Sequence, residues 1–206
     1  MTNQIGWGIL GAGAIANAFA DGVQRSRTGR LVAIGSRTQA KADAFAAKWG
    51  GIRAHGSYEA LLADPAVQAV YVATPHPLHP EWAIRAAEAG KHLLVEKPLA
   101  INAFLAQTLI EAAVEHDVFL MEAYMYRCHP QTARLVELIR DGVIGEVAVI
   151  QATFSFAAGF NPDSRLWSNA LGGGGILDVG GYTTSIARLI AGAAVGQPFA
   201  DPIAVT

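Results

Sequence analysis

The chain has little cysteine, little charge and no long apolar run, and each shortage excludes a class of protein. Its single cysteine, Cys128, rules out an internal disulfide framework and is typical of a reducing compartment. Charged residues make up 16% of the chain and leave a net charge of −2, so no basic surface of the kind that binds nucleic acid is expected. No uncharged apolar run reaches the roughly 18 residues that a membrane-spanning helix requires.

A secretory signal is not expected either. The uncharged run from Ile5 to Ala20 ends in Ala18-Phe19-Ala20, which resembles a cleavage site, but the Met-Thr-Asn-Gln before it contains no basic side chain. We therefore expect a cytoplasmic chain without a membrane or nucleic-acid partner.

Hydrophobic residues, in contrast, make up 52% of the chain, and apolar runs alternate with helical patterns through its first part. Strands are predicted at Ile5–Leu10, Leu31–Gly35, Ala69–Ala73, His92–Glu96 and Val118–Ala123. Helices are predicted after the first strand, with Ile15, Phe19 and Val23 on one face, and at 39–49, 80–89 and 102–116. Repeated strand–helix–strand units of this kind predict an α/β fold with a doubly wound parallel sheet over residues 1–124.

The pattern changes in residues 125–206. An amphipathic helix is predicted at Gln131–Asp141, and a long alternating strand follows at Glu146–Phe156. Such alternation is typical of an antiparallel sheet with one open face. We therefore expect the start of an α+β domain with a mainly antiparallel open sheet. The sequence stops soon after Asp201, where the pattern resembles the beginning of another strand, so this domain is expected to be incomplete.

The stretch Gly11-Ala12-Gly13-Ala14-Ile15-Ala16 joins the first strand to the first helix. In a Rossmann unit the first glycine makes a tight turn, the second lets backbone amides approach a pyrophosphate, and the helix N-terminus favours the negative charge. Alanine is acceptable at the third small position, which only has to allow close packing of helix and strand. The turn therefore predicts a dinucleotide site with contacts from Gly11, Gly13, Ala14 and Ile15.

The end of the second strand bears on which dinucleotide binds. An acidic residue there grips the ribose hydroxyls of NAD, whereas the sequence here is Gly35-Ser36-Arg37-Thr38. Arg37 can pair with a 2′-phosphate, and Ser36 and Thr38 can donate hydroxyl hydrogen bonds. NADP is favoured over NAD, although Arg37 could instead stack on the adenine of either cofactor.

Two further strands end in polar side chains. Ligands of open parallel sheets bind beyond the carboxyl ends of the strands, and Thr74, Pro75, His76 and His79 follow the Ala69–Ala73 strand. The two histidines are three residues apart, but no further ligand cluster is evident, so no metal site is predicted.

Glu96-Lys97-Pro98 follows the next strand. This position suggests a lysine amine that is held in place rather than solvated. The alternative is an ordinary surface lysine.

A glycine run leads into a second polar motif, Asp178-Val179-Gly180-Gly181-Tyr182. Asp178 and Tyr182 are four residues apart and share a face if the segment is helical. Gly180 and Gly181 each cost about 1 kcal/mol in a helix, which suggests that a nicotinamide ring or another helix approaches closely. The alternative is a glycine loop and a capped helix with a buried tyrosine.

These motifs together resemble the Gfo/Idh/MocA family of NAD(P)-dependent oxidoreductases. The matching residues are Gly11–Ala16, Thr74-Pro75 with His79, Ala89–His92, Glu96-Lys97-Pro98, Glu122-Ala123 with Arg127, and Asp178–Tyr182. Within the family, His55–Glu59, Phe119–Ala123 and Tyr182 are similar to the branch of the dimeric dihydrodiol dehydrogenases and NADP-dependent D-xylose dehydrogenases.

The resemblance implies a function. A secondary alcohol or a sugar hemiacetal would give a hydride to NADP, and Tyr182 would take the proton of its hydroxyl group. The nearby ammonium of Lys97 would lower the pKa of the Tyr182 phenol and would also hold the substrate oxygen. Asp178 would orient the substrate or its neighbours. Whether Tyr182 or Lys97 is the formal acid–base group stays open. The residues implied to line the substrate or nicotinamide are Arg127, Asn161, Arg165 and Trp167. Thr74, Pro75, His76, His79 and Glu96 would lie on the cofactor side.

Two other functions remain possible on the same fold. One is a regulator or sensor that binds NAD(P) without turnover, and the presence of both Lys97 and Tyr182 argues against it. The other is a structural partner subunit, suggested by the open face of Glu146–Phe156. In this family that sheet commonly forms a dimer interface, so the resemblance also implies a homodimer or higher homo-oligomer.

Overall fold

The computed structural model describes residues 4–205 and divides the chain into two compact units that meet between Ala123 and Tyr124. The first unit contains a six-stranded sheet of β1 (Ile5–Leu10), β2 (Gly29–Gly35), β3 (Arg53–His55), β4 (Ala69–Val72), β5 (His92–Val95) and β6 (Leu120–Glu122). Its helices are α1 (Ala14–Gln24), α2 (Gln39–Lys48), α3 (Tyr58–Leu62), α4 (His79–Glu88) and α5 (Ala103–Glu115), with a 3₁₀ turn at His76–Leu78.

All strand pairs are parallel, and their order is β3-β2-β1-β4-β5-β6. This is the order of a Rossmann sheet, in which the strand order reverses between β1 and β4. The α/β class and the parallel sheet expected from the sequence are confirmed. β3 and α3 were not predicted.

The core lies on both faces of the sheet because successive strand residues point to opposite sides. On one face Ile9, Ile34 and Tyr71 pack with α1 and α2, and on the other Leu10 and Val72 pack with α3, α4 and α5. Lys91 lies where β5 begins. Its Nζ donates to the carbonyl oxygens of Asp64 and Val67, at 3.1 and 2.8 Å.

Helix α1 buries the predicted stripe only in part, with Phe19 packed partly buried against the core. Ala16, Ala20 and Val23 are its buried residues, whereas Ile15 is 38% exposed. The small side chains let the helix approach the sheet closely, and this requirement outweighs the larger apolar area of Ile15. Two other helix signals are confirmed: Asn102 Oδ1 accepts a hydrogen bond from Leu105 N, and Gly90 ends α4 with a φ of 69°.

The second unit is helical where it is regular. It contains α6 (Pro130–Arg140) and α7 (Gly181–Ala194), 3₁₀ turns at Met125–Cys128 and Asn169–Leu171, and a π-helical turn at Ile176–Gly180 that runs into α7. Ile139 of α6 and Leu189 of α7 are buried.

The strand predicted at Glu146–Phe156 does not form, and the expected antiparallel sheet is absent from residues 124–205. The alternating pattern is suited to a sheet, but a strand also needs a neighbour that completes its backbone hydrogen bonds. The described part of the chain supplies none, and residues 151–160 are all exposed. The strand expected to begin at Asp201 does not form either.

Candidate functional site

Five strands of the Rossmann unit end at the same level. Their pairing places Gly35, Leu10, Val72, Val95 and Glu122 in one row across the sheet. The segments that follow these residues therefore leave the sheet along a single edge, which is where open α/β sheets bind ligands. Most of the polar residues predicted in the first unit lie along this edge.

The glycine turn lies at the point where the strand order reverses. Gly11 N donates to Gly35 O at 2.9 Å, its φ is 100°, and a Cβ added to it would be 2.7 Å from Ala73 O. Gly13 differs, since its φ is −82° and, apart from its two chain neighbours, no described residue has an atom within 4 Å of an added Cβ. It precedes α1, where no side chain caps the helix and Ala14 and Ile15 are exposed. The backbone N–H groups in the first turn of α1, which have no partner within the helix, therefore lie at this edge of the sheet.

The end of β2 presents a cation. Ser36 is buried and its N–H donates to His55 O at 3.0 Å, whereas Arg37 and Thr38 are exposed. Burial raises the pKa of the Tyr58 phenol, and the nearby Arg37 charge opposes that rise. Arg37 is therefore close enough to Tyr58 to act on it electrostatically.

His79 lies beneath the edge rather than on it. Its ring is fully buried, with Nδ1 2.8 Å from Pro98 O and Nε2 2.8 Å from Thr74 O. Burial lowers its pKa, while the two carbonyl contacts and the charge of Glu96 oppose that shift. Both ring nitrogens face backbone oxygens because the first residue of α4 points inward, so His79 supports the segments at Thr74 and Pro98. The cofactor contact that the sequence suggests for His79 stays a prediction.

The rest of the Thr74 segment is mixed in exposure. Thr74 and His76 are buried, and Pro75 is exposed. The Thr74 hydroxyl has no hydrogen-bond partner within the described part of the chain.

Lys97 follows β5 and is partly buried. The residues around it are bonded on both sides: the Tyr71 hydroxyl donates to Glu96 Oε1, and Leu99 N donates to Glu122 Oε1 at 2.7 Å. Burial raises the pKa of Glu122, the Leu99 hydrogen bond lowers it, and the Glu96 charge raises it further. The segment Glu96–Leu99 is thus held by side chains from both neighbouring strands.

In the second unit, two predicted site residues form an ion pair. Arg165 Nη1 donates to Asp178 Oδ1 at 2.9 Å. Asp178 lies in the π-helical turn and is 7% exposed as a residue, and the Arg165 side chain is half exposed. The buried carboxylate therefore fixes a guanidinium at the surface of this unit.

Tyr182, at the start of α7, belongs to an aromatic cluster of Tyr124, Tyr126, Phe154 and Tyr182, called here the tyrosine cluster. The ring of Tyr182 meets Tyr124 and Phe154 edge-on, with centroids 5.1 and 5.2 Å away. The Tyr126 hydroxyl lies 2.7 Å from Ser185 Oγ of α7. These contacts fix the ring of Tyr182 within its unit.

The glycines before Tyr182 have different surroundings. A Cβ on Gly181 would overlap with the Tyr124 hydroxyl, whereas one on Gly180 would be 3.3 Å from its nearest neighbour, Gly175 O. In the described structure a tyrosine hydroxyl lies close to Gly181, and the nicotinamide ring or helix that the sequence suggested at these glycines stays a prediction.

The remaining predicted substrate residues are exposed. Arg127 lies in the Met125–Cys128 turn, and Asn161 Oδ1 accepts a hydrogen bond from Asp163 N at 3.1 Å. The ring of Trp167 packs edge-to-face against the ring of Phe160, with the ring centroids 5.3 Å apart.

Sequence reasoning did not find the supporting side chains. Tyr71 reads as an ordinary strand residue, and Glu122 matched a family motif without a role that the sequence could give it. The position of each at or near the end of a strand was the available signal, but the contacts require the strand order.

Neither clustered metal ligands nor a membrane-spanning helix is found among the described residues. No group of three or more His, Cys, Asp or Glu residues is placed to hold a metal ion. No helix in residues 4–205 combines the length and apolar character needed to cross a bilayer.

Comparison with known proteins identifies the family. A sequence model described as an oxidoreductase family with an NAD-binding Rossmann fold matches residues 5–124, and the GFO/IDH/MocA C-terminal domain matches residues 132–201. The chain belongs to the Gfo/Idh/MocA oxidoreductase family. The resemblance predicted from the motifs is confirmed.

Several members of the Gfo/Idh/MocA family are similar over most of the chain. A D-xylose 1-dehydrogenase (NADP⁺) of Haloferax volcanii is 41% identical over 90% of this chain and 57% of its own length. A trans-1,2-dihydrobenzene-1,2-diol dehydrogenase of Mus musculus is 38% identical over 91% of this chain and 56% of its own. A 3-ketoreductase from Actinomadura kijaniata, crystallised with NADP and TDP-benzene, is similar with a TM-score of 0.83 and 36% identity, over 91% of this chain and 57% of that one. The chain therefore spans somewhat more than half the length of these relatives.

Proposed function

We propose that this chain supplies the cofactor-binding and proton-transfer residues of an NADP-dependent dehydrogenase or reductase that acts on a secondary alcohol or a sugar hemiacetal. The observation that carries the proposal is the shared edge of the Rossmann sheet. It presents the Gly11–Gly13 turn after β1, the Arg37 cation after β2 and the Lys97 segment after β5.

The residues at the edge fit a dinucleotide. Gly11 is required by the fold of the turn, but nothing in the described protein requires glycine at position 13. Close approach of a pyrophosphate to the Gly13 backbone explains the missing side chain, and the uncapped first turn of α1 offers amide donors to it. The buried Thr74 hydroxyl, which has no partner in the described residues, is a further donor on the same edge.

NADP is proposed over NAD because of the charge after β2. Arg37 is exposed and no carboxylate stands at positions 36–38. A guanidinium stabilises the 2′-phosphate of NADP, and the carboxylate that would select NAD is missing.

A first prediction therefore concerns Arg37. Arg37→Asp should weaken NADPH binding at least about tenfold and leave NADH binding unchanged or improved, because a cation is replaced by a charge that repels the 2′-phosphate. Fluorescence titration with both cofactors measures this. Arg30→Asp, at the other end of β2, is the matched control, and equal effects of the two variants would contradict the proposal.

The reaction removes a hydride from the carbinol carbon and a proton from its hydroxyl, and leaves a carbonyl. Bound NADP supplies the hydride acceptor. We assign Lys97 to hold the substrate oxygen by its ammonium and Tyr182 to exchange the hydroxyl proton. Asp178 holds Arg165, which we assign to orient the substrate. In the reductive direction the same groups return the proton to the forming alkoxide.

The second prediction tests this assignment in the complete protein. A screen of aldoses, polyols and diols should find a substrate that reduces NADP faster than NAD, and Lys97→Met should lower its kcat about hundredfold or more. Lys41→Met, an exposed lysine of α2, should have no effect. Unchanged turnover in Lys97→Met would refute the catalytic role. Tight NADPH binding without turnover of any substrate would favour a regulator or sensor.

We also propose that the protein forms a homo-oligomer. The support is the exposed apolar segment of the second unit, where Val149 is 83% exposed and Phe154 and Phe156 are about half exposed. Light scattering on the complete protein measures the mass, and a monomer at all concentrations would contradict the proposal.

A further inference from the structure

The segment Glu96–Leu99 leaves β5 as an irregular chain, yet its position is fixed from three directions. Tyr71 of β4 donates to Glu96, the buried His79 of α4 faces Pro98 O, and Glu122 of β6 accepts from Leu99 N. An irregular segment makes no ladder of its own, so side chains of neighbouring elements must set its path.

Glu122 is the clearest of these anchors because its hydrogen bond has an unambiguous direction. Val95 and Glu122 are paired in the sheet, and Ala123 N donates to Val95 O at 2.8 Å. The backbone of β6 thus fixes the base of the Glu122 side chain beside the end of β5. Its carboxylate then reaches Leu99, two residues beyond Lys97.

The surroundings of Glu122 disfavour the negative charge of its carboxylate. Burial and the nearby Glu96 both raise the pKa of Glu122. A neutral acceptor of the same shape would avoid that repulsion and still accept from Leu99 N. The hydrogen-bonding oxygen, rather than the charge, is what the geometry uses.

We propose that Glu122 is a positioning residue for Lys97: it accepts the Leu99 N–H and thereby fixes the path of the segment that carries the lysine. The proposal rests on the proposed function for its effect on turnover, but its geometric part can be tested without turnover. A displacement of about 1 Å at a reacting group can cost about hundredfold in rate.

The test compares three substitutions in the complete protein. Glu122→Gln keeps an oxygen that accepts from Leu99 N, and Glu122→Met keeps the length of the side chain without an acceptor. Glu122→Asn has the same amide group as the Gln variant on a side chain that is too short to reach Leu99 N. We expect Glu122→Gln to retain kcat within about threefold, and Glu122→Met and Glu122→Asn to lower it about ten- to hundredfold. The Kd for NADPH should change less than about threefold in all, which separates positioning from loss of folded protein.

A second readout is the rate of acetylation of Lys97 by a dilute reagent, followed by mass spectrometry against Lys41 as the internal reference. Met and Asn at position 122 should change the Lys97 rate relative to Lys41, and Gln should restore it. The matched control is Glu88→Met, an exposed carboxylate of α4.

Three results would overturn the proposal: unchanged kcat and labelling in both Glu122→Met and Glu122→Asn, a Gln variant as impaired as the Met variant, or an equal effect of Glu88→Met. If one of the Met and Asn variants does not fold, the other decides. A changed Lys97 labelling rate together with unimpaired turnover of Lys97→Met would uphold the positioning of Lys97 and reject the proposed function.

Discussion

Gly11 and Gly13 are two residues apart in one turn, and the structure uses them for different reasons. Gly11 combines a φ of 100° with a neighbouring carbonyl that leaves no room for a Cβ. Gly13 has ordinary backbone angles and open space. The first is therefore a requirement of folding, and the second is proposed to be a requirement of binding.

The third prediction follows from this contrast. Gly11→Ala should lower the free energy of unfolding by about 1–3 kcal/mol, since it combines backbone strain with steric overlap. Gly13→Ala should cost less than about 1 kcal/mol, yet weaken NADPH binding by about tenfold or more because its methyl group meets the pyrophosphate. Urea unfolding and fluorescence titration measure the two effects. Unimpaired binding by Gly13→Ala would contradict the proposed cofactor position.

The fourth prediction concerns the buried histidine. Because burial lowers the pKa of His79 below its ordinary value of 6.5, the unfolded chain binds a proton that the folded protein resists. The stability contributed by neutral His79 is present above about pH 6.5 and is lost as the pH falls through the lower folded-state value. The free energy of unfolding of the wild type should therefore fall more steeply between about pH 7.5 and about pH 5.5 than that of His79→Gln.

Urea unfolding across this range gives the two slopes, and His116→Gln, at the exposed end of α5, is the control. Parallel curves for the wild type and His79→Gln would show that His79 is not the group responsible.

At the scale of elements, the sequence patterns were sufficient where they were long. β1 was predicted to the residue, and α5 begins after the predicted cap. β3 and α3 were missed because three and five residues are too short for a periodicity to show. The pattern at Glu146–Phe156 was misleading because alternation describes how a strand would be buried and not whether a partner exists to pair with it.

The start of α7 gives the fifth prediction. Gly181→Ala should displace the Tyr124 hydroxyl, rearrange the tyrosine cluster and cost about 1–3 kcal/mol. Gly180→Ala, one residue earlier, should change the stability by less than about 1 kcal/mol, since the gain from replacing a helical glycine is offset by a Cβ that would lie 3.3 Å from the Gly175 carbonyl oxygen. Near-ultraviolet circular dichroism reports on the tyrosines, and urea unfolding on the stability. Equal behaviour of the two variants would contradict the different roles of these glycines.

At the scale of the whole molecule, the two units differ in what the sequence could predict. In the first, a sheet of standard strand order places residues that follow strand ends along one edge, so the positions of Gly11, Arg37 and Lys97 follow from topology alone. The pair of Arg165 and Asp178, thirteen residues apart, depends on the path of an irregular segment that no pattern describes. The same holds for the contacts of Tyr182 with Tyr124 and Phe154.

Hydrogen exchange should separate these regions, which is a further prediction. Amides of β1 and β4, in the centre of the sheet, should exchange slowest. Those of residues 146–160, which form no ladder and are exposed except at Val147 and Ile150, should exchange fastest. Mass spectrometry of peptic fragments measures both. Strong protection of residues 146–160 in the complete protein would show that this segment pairs with a strand outside the described structure.

Lys91 and Lys97 lie at opposite ends of β5, and the direction of the strand gives the two side chains different surroundings. Lys91 precedes the first residue of β5, and its ammonium donates two hydrogen bonds to the backbone carbonyls of Asp64 and Val67, so it holds a loop in place. Lys97 leaves the strand at the ligand-facing end. Loss of turnover on general amine modification would therefore not show which of the two lysines was responsible, and only modification resolved by site would separate a structural role from a chemical one.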